Sequence, residues 1–322
     1  MKVFNNILEV IGNTPMVRLN KITDGRNRFF AKLEFLNPGG SIKDRMAKFI
    51  IEEAERDGKI GKGVVENSSG NTGAALAMIA AVKNFRTVIT IPDKMSDEKV
   101  NLMKAFGAEV VITPTNVPYD SPESYYSVAR RIAKERGLYY PDQYNNPLNI
   151  EAHYLTTGPE IWDQMGGNVD VVVAGIGTGG TISGIGRFLK ERDPGVKIVG
   201  VDPLGSVFHD YFKYGKVPEP HTYKVEGIGE DYLVKAVDFS VIDDIIQVSD
   251  GESFKMTRRL AREEGIFAGG SSGSAMVAAL KYASRMENKN VVVIFPDSGS
   301  RYLSKIFNDR WMRDNGFEVE SS

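Results

Sequence analysis

Apolar residues along the chain fall into two alternating patterns. Short runs rich in β-branched residues occur at Phe29–Phe35, Gly63–Asn67, Thr87–Ile91, Glu109–Ile112, Asp170–Ala174, Lys197–Asp202, Ile245–Val248 and Asn290–Phe295. These have the length of strands. Amphipathic or apolar helical segments separate them: Gly73–Lys83, Asp97–Phe106, Ser124–Arg136, Thr181–Arg192, Ser253–Glu264 and Ser274–Ser284, with another running from Asp44 to Ile51. Such alternation predicts βαβ units and mostly parallel sheets. It comes in two clusters, on either side of a loop-rich stretch at Tyr139–Asn149. Two α/β lobes with a cleft between them follow. The apolar residues of Ile7–Leu19 and Met103–Phe106 suit a dimer interface and the monomer's own core equally well. The tail Phe317–Ser322 is expected to fray.

The turns between strands and helices carry the unusual chemistry. Asn37-Pro38-Gly39-Gly40-Ser41-Ile42-Lys43 places a lysine in the first turn of a helix. A helix N-terminus carries partial positive charge, so it favours the neutral amine there. A neutral lysine can form a Schiff base and act as a base. Taken alone, a surface lysine after a turn would read the same way. The second turn, Ser68-Ser69-Gly70-Asn71-Thr72-Gly73, holds more hydroxyls and glycines than one helix cap needs, and suits a carboxylate or phosphate. The third, Gly175-Ile176-Gly177-Thr178-Gly179-Gly180-Thr181, follows an apolar strand and permits close approach of an anion. It also fits the G-x-G-x-x-G dinucleotide fingerprint, with Asp202 ending the next strand where a ribose acid would stand. A nicotinamide dehydrogenase is therefore a rival reading, although it leaves Lys43 and Ser68–Thr72 without a role. The fourth turn is Gly269–Ser274, and after the last strand comes Pro296-Asp297-Ser298-Gly299. In open α/β sheets ligands gather at the C-terminal ends of strands. Four such turns and one lysine imply a small anionic cofactor with a phosphate and a reactive carbonyl.

Bulk composition narrows the picture. The 322 residues suffice for a large core, and 42% hydrophobic with 25% charged residues is ordinary for a globular enzyme. A net charge of −2 without a long basic run argues against nucleic acid as a partner. Absence of cysteine excludes disulfides, thiolate catalysis and cysteine-ligated metals, and the three histidines lack ligand spacing, so no metal is expected. The start has no apolar signal-peptide core, and no apolar run reaches membrane-span length, so the expectation is a cytoplasmic protein without a membrane partner.

Ser41-Ile42-Lys43-Asp44-Arg45, Ser69-Gly70-Asn71-Thr72-Gly73 and Gly177-Thr178-Gly179-Gly180-Thr181, in this order, resemble the fold-type II pyridoxal-phosphate enzymes, the group of cysteine synthase and cystathionine β-synthase. The resemblance runs from about Ile7 to Phe317. It implies an α/β fold of the tryptophan synthase β type: two three-layer lobes with mainly parallel twisted sheets and the cofactor in the cleft. The larger lobe would comprise 1–42 and 146–322 and the smaller one 43–145, with a mobile subdomain at about 87–136. Several segments resemble the cystathionine β-synthase branch: Pro114–Asn116, Asp120–Ser124, Asp142–Tyr144, Asp202-Pro203, Gly205-Ser206, Val225–Gly229 and Asp309–Met312. Animal forms carry a haem segment with cysteine and histidine ligands. The residues before Lys43 hold neither, so no haem is expected. No C-terminal regulatory domain pair is expected either. Glu230 stands where animal and fungal forms have tyrosine.

By that resemblance Lys43 is the catalytic residue and carries the cofactor, pyridoxal 5'-phosphate. Gly177, Thr178, Gly179, Gly180 and Thr181 cradle its phosphate, Asn71 meets the ring hydroxyl, Ser271 meets the ring nitrogen, and Pro296 and Asp297 border the ring. Ser68, Ser69, Gly70, Asn71 and Thr72 would take the substrate carboxylate with Gln143. Tyr144, Glu226, Gly227 and Glu230 would border the second substrate, Glu230 receiving an ammonium group or standing as a solvated loop acid. The implied reaction joins L-serine to L-homocysteine through a bound aminoacrylate, giving L-cystathionine, with hydrogen sulfide release from cysteine plus homocysteine as a companion activity. The implied alternative is an O-acetylserine sulfhydrylase making cysteine. Partners would be amino-acid and thiol substrates and a second copy of the chain.

Overall fold

The structure is a computed structural model that describes residues 3–23 and 25–319. Its strands are β1 (Met16–Arg18), β2 (Arg28–Leu33), β3 (Val64–Asn67), β4 (Thr87–Pro92), β5 (Glu109–Thr113), β6 (Val171–Gly175), β7 (Lys197–Pro203), β8 (Asp244–Val248) and β9 (Asn290–Phe295). The helices are α1 (Lys43–Arg56), α2 (Asn71–Lys83), α3 (Asp97–Ala105), α4 (Tyr125–Arg136), α5 (Leu148–Leu155), α6 (Thr157–Gln164), α7 (Gly180–Arg192), α8 (Phe208–Tyr214), α9 (Asp250–Glu264), α10 (Gly270–Ala283) and α11 (Asp309–Asp314).

Strands assemble into two sheets, one ordered β1-β2-β9-β6-β7-β8 and the other β3-β4-β5. Every pairing is parallel except β1 with β2. Strands buried on both faces explain the near-continuous apolar runs. In the larger sheet, Val172, Ile198 and Val292 face one core with Ile182, Ile185 and Leu189 of α7. Their neighbours Val171, Val173, Val199, Val291 and Val293 face the other, with Ala275, Met276 and Ala279 of α10. The smaller sheet packs Ile89 and Ile91 against α1 and α2, and Val65 and Val88 against Val128, Ala129 and Ile132 of α4.

Several elements depart from the sequence pattern. β2 stops at Leu33, and a short 3-10 turn covers Glu34–Leu36. There the buried Glu34 carboxylate accepts from Arg45 Nε at 2.7 Å. Arg45 also donates to Glu160 at 2.6 Å, and Lys32 donates to Glu160 at 2.8 Å. This buried network pins the first turn of α1, and with it Lys43, against β2 and α6. Helix α10 begins at Gly270, four residues earlier than its apolar pattern suggests, so the glycine-rich fourth turn is already helix. Gly273 lies so close to α9 that an added Cβ would collide with the Ser253 carbonyl. β1, α5, α6, α8 and α11 are too short or too polar to show in the pattern.

Of the apolar segments assigned equally to core and interface, Leu8, Leu19 and Met103 are core, whereas Ile7 and Val10 are exposed. The tail does not fray at Phe317: its ring packs edge-on against Phe254 at 4.9 Å. Residues 320–322 lie outside the described residues. Among the described residues no helix is long and apolar enough to cross a membrane, and no cluster of acidic and histidine side chains could hold a metal ion.

Candidate active site

The Pro-Gly-Gly turn exists to hold Lys43. Gly40 has φ +81°, and a Cβ on Gly39 would meet Asp44 Oδ1 at 2.5 Å. The Gly39 N–H donates to the Asp44 carboxylate at 2.6 Å. Burial raises the Asp44 carboxyl to about 7, against the opposing pull of that N–H and of Arg301. Ile42 N–H donates to Pro296 O at 2.8 Å and Ser298 N–H to Gly40 O at 3.2 Å. The lysine is thereby anchored at the C-terminal end of β9, beside Pro296 and Asp297.

The second turn is shaped by its own side chains. Ser68 Oγ accepts from the N–H groups of Gly70 at 2.9 Å and Gly73 at 3.0 Å. Thr72 Oγ1 donates to Gln143 Oε1 at 2.6 Å, and Gln143 Nε2 donates to Asn67 O at 2.8 Å. Helices α2, α7 and α10 share one property: none has an acidic residue in its first turn. Without an acid there, the partial positive charge of each N-terminus is available to an anionic ligand.

A cavity of about 440 Å³ brings Lys43, Ser69, Asn71, Thr72, Gln143, Tyr144, Gly177, Thr178, Glu226, Gly227 and Glu230 onto one surface. A notch of about 20 Å³ adjoins it, lined by Lys43, Gly177, Thr178, Gly179, Thr181, Gly227 and Pro296. Ser68, Gly70, Gly180, Ser271 and Asp297 line neither space. Ser68 is spent as a cap. Gly180 packs on Asn149, where a Cβ would collide with Oδ1. Ser271 is buried at the start of α10. The Asp297 carboxylate accepts from Asn71 Nδ2 at 2.8 Å and from Tyr302 OH at 2.6 Å.

Electrostatics differ across the cavity. Burial pushes the Lys43 amine below the ordinary lysine range and Lys99 adds to this, while Asp297 and Glu230 oppose it. Glu230 sits among tyrosines: Tyr126 OH donates to its Oε2 at 3.2 Å. The Tyr126 ring lies 5.7 Å from Tyr119, 5.5 Å from Tyr144 and 5.7 Å from Tyr232. Burial, reinforced by Asp231, pushes the Glu230 carboxyl up to about 8. Glu230 is half-buried on the cavity wall, with the Tyr126 hydroxyl as a donor to it. Glu226 has both oxygens engaged, by Lys99 at 2.6 Å and Lys305 at 2.7 Å.

The chain belongs to the pyridoxal-phosphate dependent enzyme family, which it matches over residues 7–297. Within that family it is 46% identical to the cystathionine beta-synthase of Saccharomyces cerevisiae, over 97% of this chain and 64% of the yeast protein. The chain thus spans under two thirds of that relative's length. It is 43% identical to a cysteine synthase of Staphylococcus aureus, over 94% of this chain and 96% of that protein. A hydrogen sulfide-producing enzyme from Fusobacterium nucleatum superposes with a TM-score of 0.87 at 38% identity, covering 94% of this chain and 100% of that structure.

The residues present fit the family's cofactor. The notch lies at the acid-free N-terminus of α7, where Gly179 has φ +87° and a Cβ on Gly177 would meet Gly227 O at 2.7 Å. That cradle suits a phosphate. Lys43 lines both notch and cavity, so one ligand can reach from the cradle to the amine. The dehydrogenase reading is overturned by the family, and Asp202 is otherwise occupied. Its carboxyl accepts the His209 N–H at 2.9 Å, and burial raises it to about 6.

Some supporting residues carry no sequence signal. Asn149 Nδ2 donates to Thr178 Oγ1 at 2.9 Å, and His153 Nε2 lies 3.2 Å from Thr181 Oγ1. Both belong to α5, which the pattern did not reveal. The tyrosines around Glu230 come from separate segments and meet only in the fold.

Proposed function

We propose that this chain catalyses a β-replacement that condenses L-serine with L-homocysteine to L-cystathionine and water. The observation that carries this reading is the cavity's lining: a lysine, a hydroxyl-rich turn and a carboxyl beside tyrosines share one space. A thiol substrate with its own ammonium group suits that carboxyl, which can accept a hydrogen bond from the ammonium, and the tyrosines, which can attract it by cation–π interaction.

Bound in the cleft, pyridoxal phosphate supplies a carbonyl for amine capture and an electron sink for the substrate's Cα. The protein's own residues do the rest. Gly177, Thr178, Gly179, Gly180 and Thr181 hold the phosphate through backbone N–H groups and hydroxyls. Asn71 donates to the ring oxygen, Ser271 meets the ring nitrogen, and Pro296 and Asp297 border the ring from behind. Ser68 shapes the turn in which Ser69, Gly70, Asn71 and Thr72, with Gln143, bind the substrate carboxylate. Lys43, whose amine burial pushes below the ordinary lysine range, takes the Cα proton and delivers a proton to the departing hydroxyl oxygen. Tyr144 and Gly227 border the incoming thiol, and Glu226 holds that wall in place. Closure of the segment 87–136 over the cavity excludes water. The chain acts as a cytoplasmic homodimer; exposed Ile7, Val10, Leu36 and Leu155 support an interface.

A second reading, an O-acetylserine sulfhydrylase making cysteine, is favoured by the Staphylococcus aureus relative, which the chain matches over nearly its full length. Hydrogen sulfide release from cysteine plus homocysteine is favoured by the likeness to the hydrogen sulfide-producing enzyme of Fusobacterium nucleatum. Glu230→Ala assayed with homocysteine and with sulfide separates the readings. Losing a charged hydrogen bond of about 1.5–3 kcal/mol lowers kcat/KM for homocysteine by at least about tenfold more than for sulfide. Equal losses with both thiols would overturn Glu230 as the ammonium receptor. Turnover of O-acetylserine with sulfide alongside none of serine with homocysteine would overturn the condensation.

A further inference from the structure

Arg301 lies on the 3-10 turn Gly299–Tyr302 after β9 and is only 3% exposed. Its Nη1 donates to Asn71 Oδ1 at 2.6 Å, and its Nη2 donates to the Gly39 carbonyl. A guanidinium is a donor only, so it demands the oxygen of the Asn71 carboxamide. On the other side the Asp297 carboxylate, 2.8 Å from Asn71 Nδ2, accepts only and demands the amino group. Flipping the amide would set NH2 against guanidinium and C=O against carboxylate. Both contacts would be repulsive, in a site where neither partner can turn to water. The amino group carries two hydrogens and Asp297 takes one. The other remains for the cavity that Asn71 lines.

We propose that Arg301 is a positioning residue: it fixes the Asn71 carboxamide so that the cofactor meets a hydrogen-bond donor, and ties that donor to the turn that holds Lys43. The second half rests on Gly39 and Gly40. An added Cβ on Gly40 would come 3.1 Å from Arg301 Nη2, so the guanidinium packs directly on the turn. One side chain therefore spans the first residue of α2 and the loop before α1. These two segments are joined in the fold and separate in sequence. Arg301's own carbonyl accepts from Ser96 Oγ at 2.8 Å, which steadies its turn from the smaller sheet's side. The inference rests on the reading that Asn71 meets the cofactor's ring oxygen. That oxygen is a phenolate acceptor, and its ionisation depends on the donor beside it.

The test uses Arg301→Lys, Asn71→Ala and the double variant, each titrated with pyridoxal phosphate. Two quantities are read: the dissociation constant, and the pH midpoint of the loaded protein's yellow absorbance. Lysine keeps the charge but cannot span both acceptors. Arg301→Lys should weaken cofactor binding about tenfold, which corresponds to 1.4 kcal/mol. It should also move the pH midpoint in the same direction as Asn71→Ala. The double variant should be no worse than the worse single one, because Arg301 acts through Asn71. If Asn71→Ala leaves the pH midpoint unchanged, the reading of Asn71 as a cofactor ligand fails. If Asn71→Ala moves it and Arg301→Lys does not, or if the two effects add, this inference fails alone. A drop in stability with an unmoved midpoint would also overturn it. Should Arg301→Lys give no soluble protein, Arg301→Gln is read by the same two quantities.

Discussion

Replacing Glu226 by glutamine should cost more stability than removing either lysine that binds it. The reason is the unequal burial of the three groups. Glu226 accepts from Lys99 at 2.6 Å and from Lys305 at 2.7 Å. The Lys99 side chain is fully buried, whereas that of Lys305 is 18% exposed. Burial alone would raise the Glu226 carboxyl, but the two lysines hold it below the usual range. In Glu226→Gln the Lys99 ammonium loses its counter-charge and keeps only neutral partners: an amide oxygen at 226, the Ser69 carbonyl at 3.2 Å and the Tyr302 ring at 4.9 Å. An uncompensated buried charge of this kind costs about 3–5 kcal/mol. Lys99→Met leaves Glu226 paired with Lys305 and should cost about 1–2 kcal/mol, mostly through a lost hydrogen bond. Lys305→Met should cost about 1 kcal/mol or less, as a partly solvated pair does. The double variant Lys99→Met/Glu226→Gln removes the stranded charge and should recover much of the loss. Thermal melting of the cofactor-loaded protein at fixed pH and free cofactor reads the order. At about 2–4 °C per kcal/mol, Glu226→Gln should fall by about 6–20 °C. Lys99→Met melting as low as Glu226→Gln, or additive losses in the double variant, would refute this ordering.

Two further outcomes follow from single positions. Gly180→Ala should weaken pyridoxal phosphate binding by about tenfold or more, measured by cofactor fluorescence. Its Cβ would collide with Asn149 Oδ1, displacing the side chain that holds the Thr178 hydroxyl. Helix propensity alone would favour alanine there by about 1 kcal/mol, so unchanged or tighter binding would refute the cradle. Glu230→Gln should change the pH dependence of stability. The Glu230 carboxyl is raised from 4.5 to about 8, so the folded state keeps a proton that the unfolded state releases. The stability it contributes is present below the ordinary carboxyl range and is lost as pH rises to about 8, reaching about 3 kcal/mol by pH 7. The variant should therefore melt increasingly above the parent between about pH 5 and pH 8. Parallel melting curves would refute the raised Glu230 carboxyl.

Legibility in the sequence tracked how local each signal was. The turn at Asn37–Lys43, the run Ser68–Gly73 and the glycines of Gly175–Thr181 are contiguous, and each stands at a strand-to-helix junction. Their chemistry can be read from neighbouring residues because the backbone itself performs it: glycine for close approach, hydroxyls and N–H groups for anions. The strands β4, β6, β7 and β9 were equally plain, since parallel strands covered on both faces need unbroken apolar runs. Short helices such as α5 were not, though α5 supplies Asn149 and His153 behind the phosphate cradle.

The residue order by itself determined the parallel α/β architecture, the lysine and the anion-binding turns, because each depends on periodicity or on a few adjacent residues. Only the tertiary structure decided how those turns are oriented. Arg301 reaches Asn71 and Gly39 across more than two hundred residues of chain. Glu226 is claimed by Lys99 and Lys305 from opposite directions. Glu230 has its carboxyl raised by the burial the fold imposes, while Tyr126 of α4 donates to it. Charge state and donor direction are properties of a surrounding shell, and a shell drawn from distant segments exists only once the chain has folded.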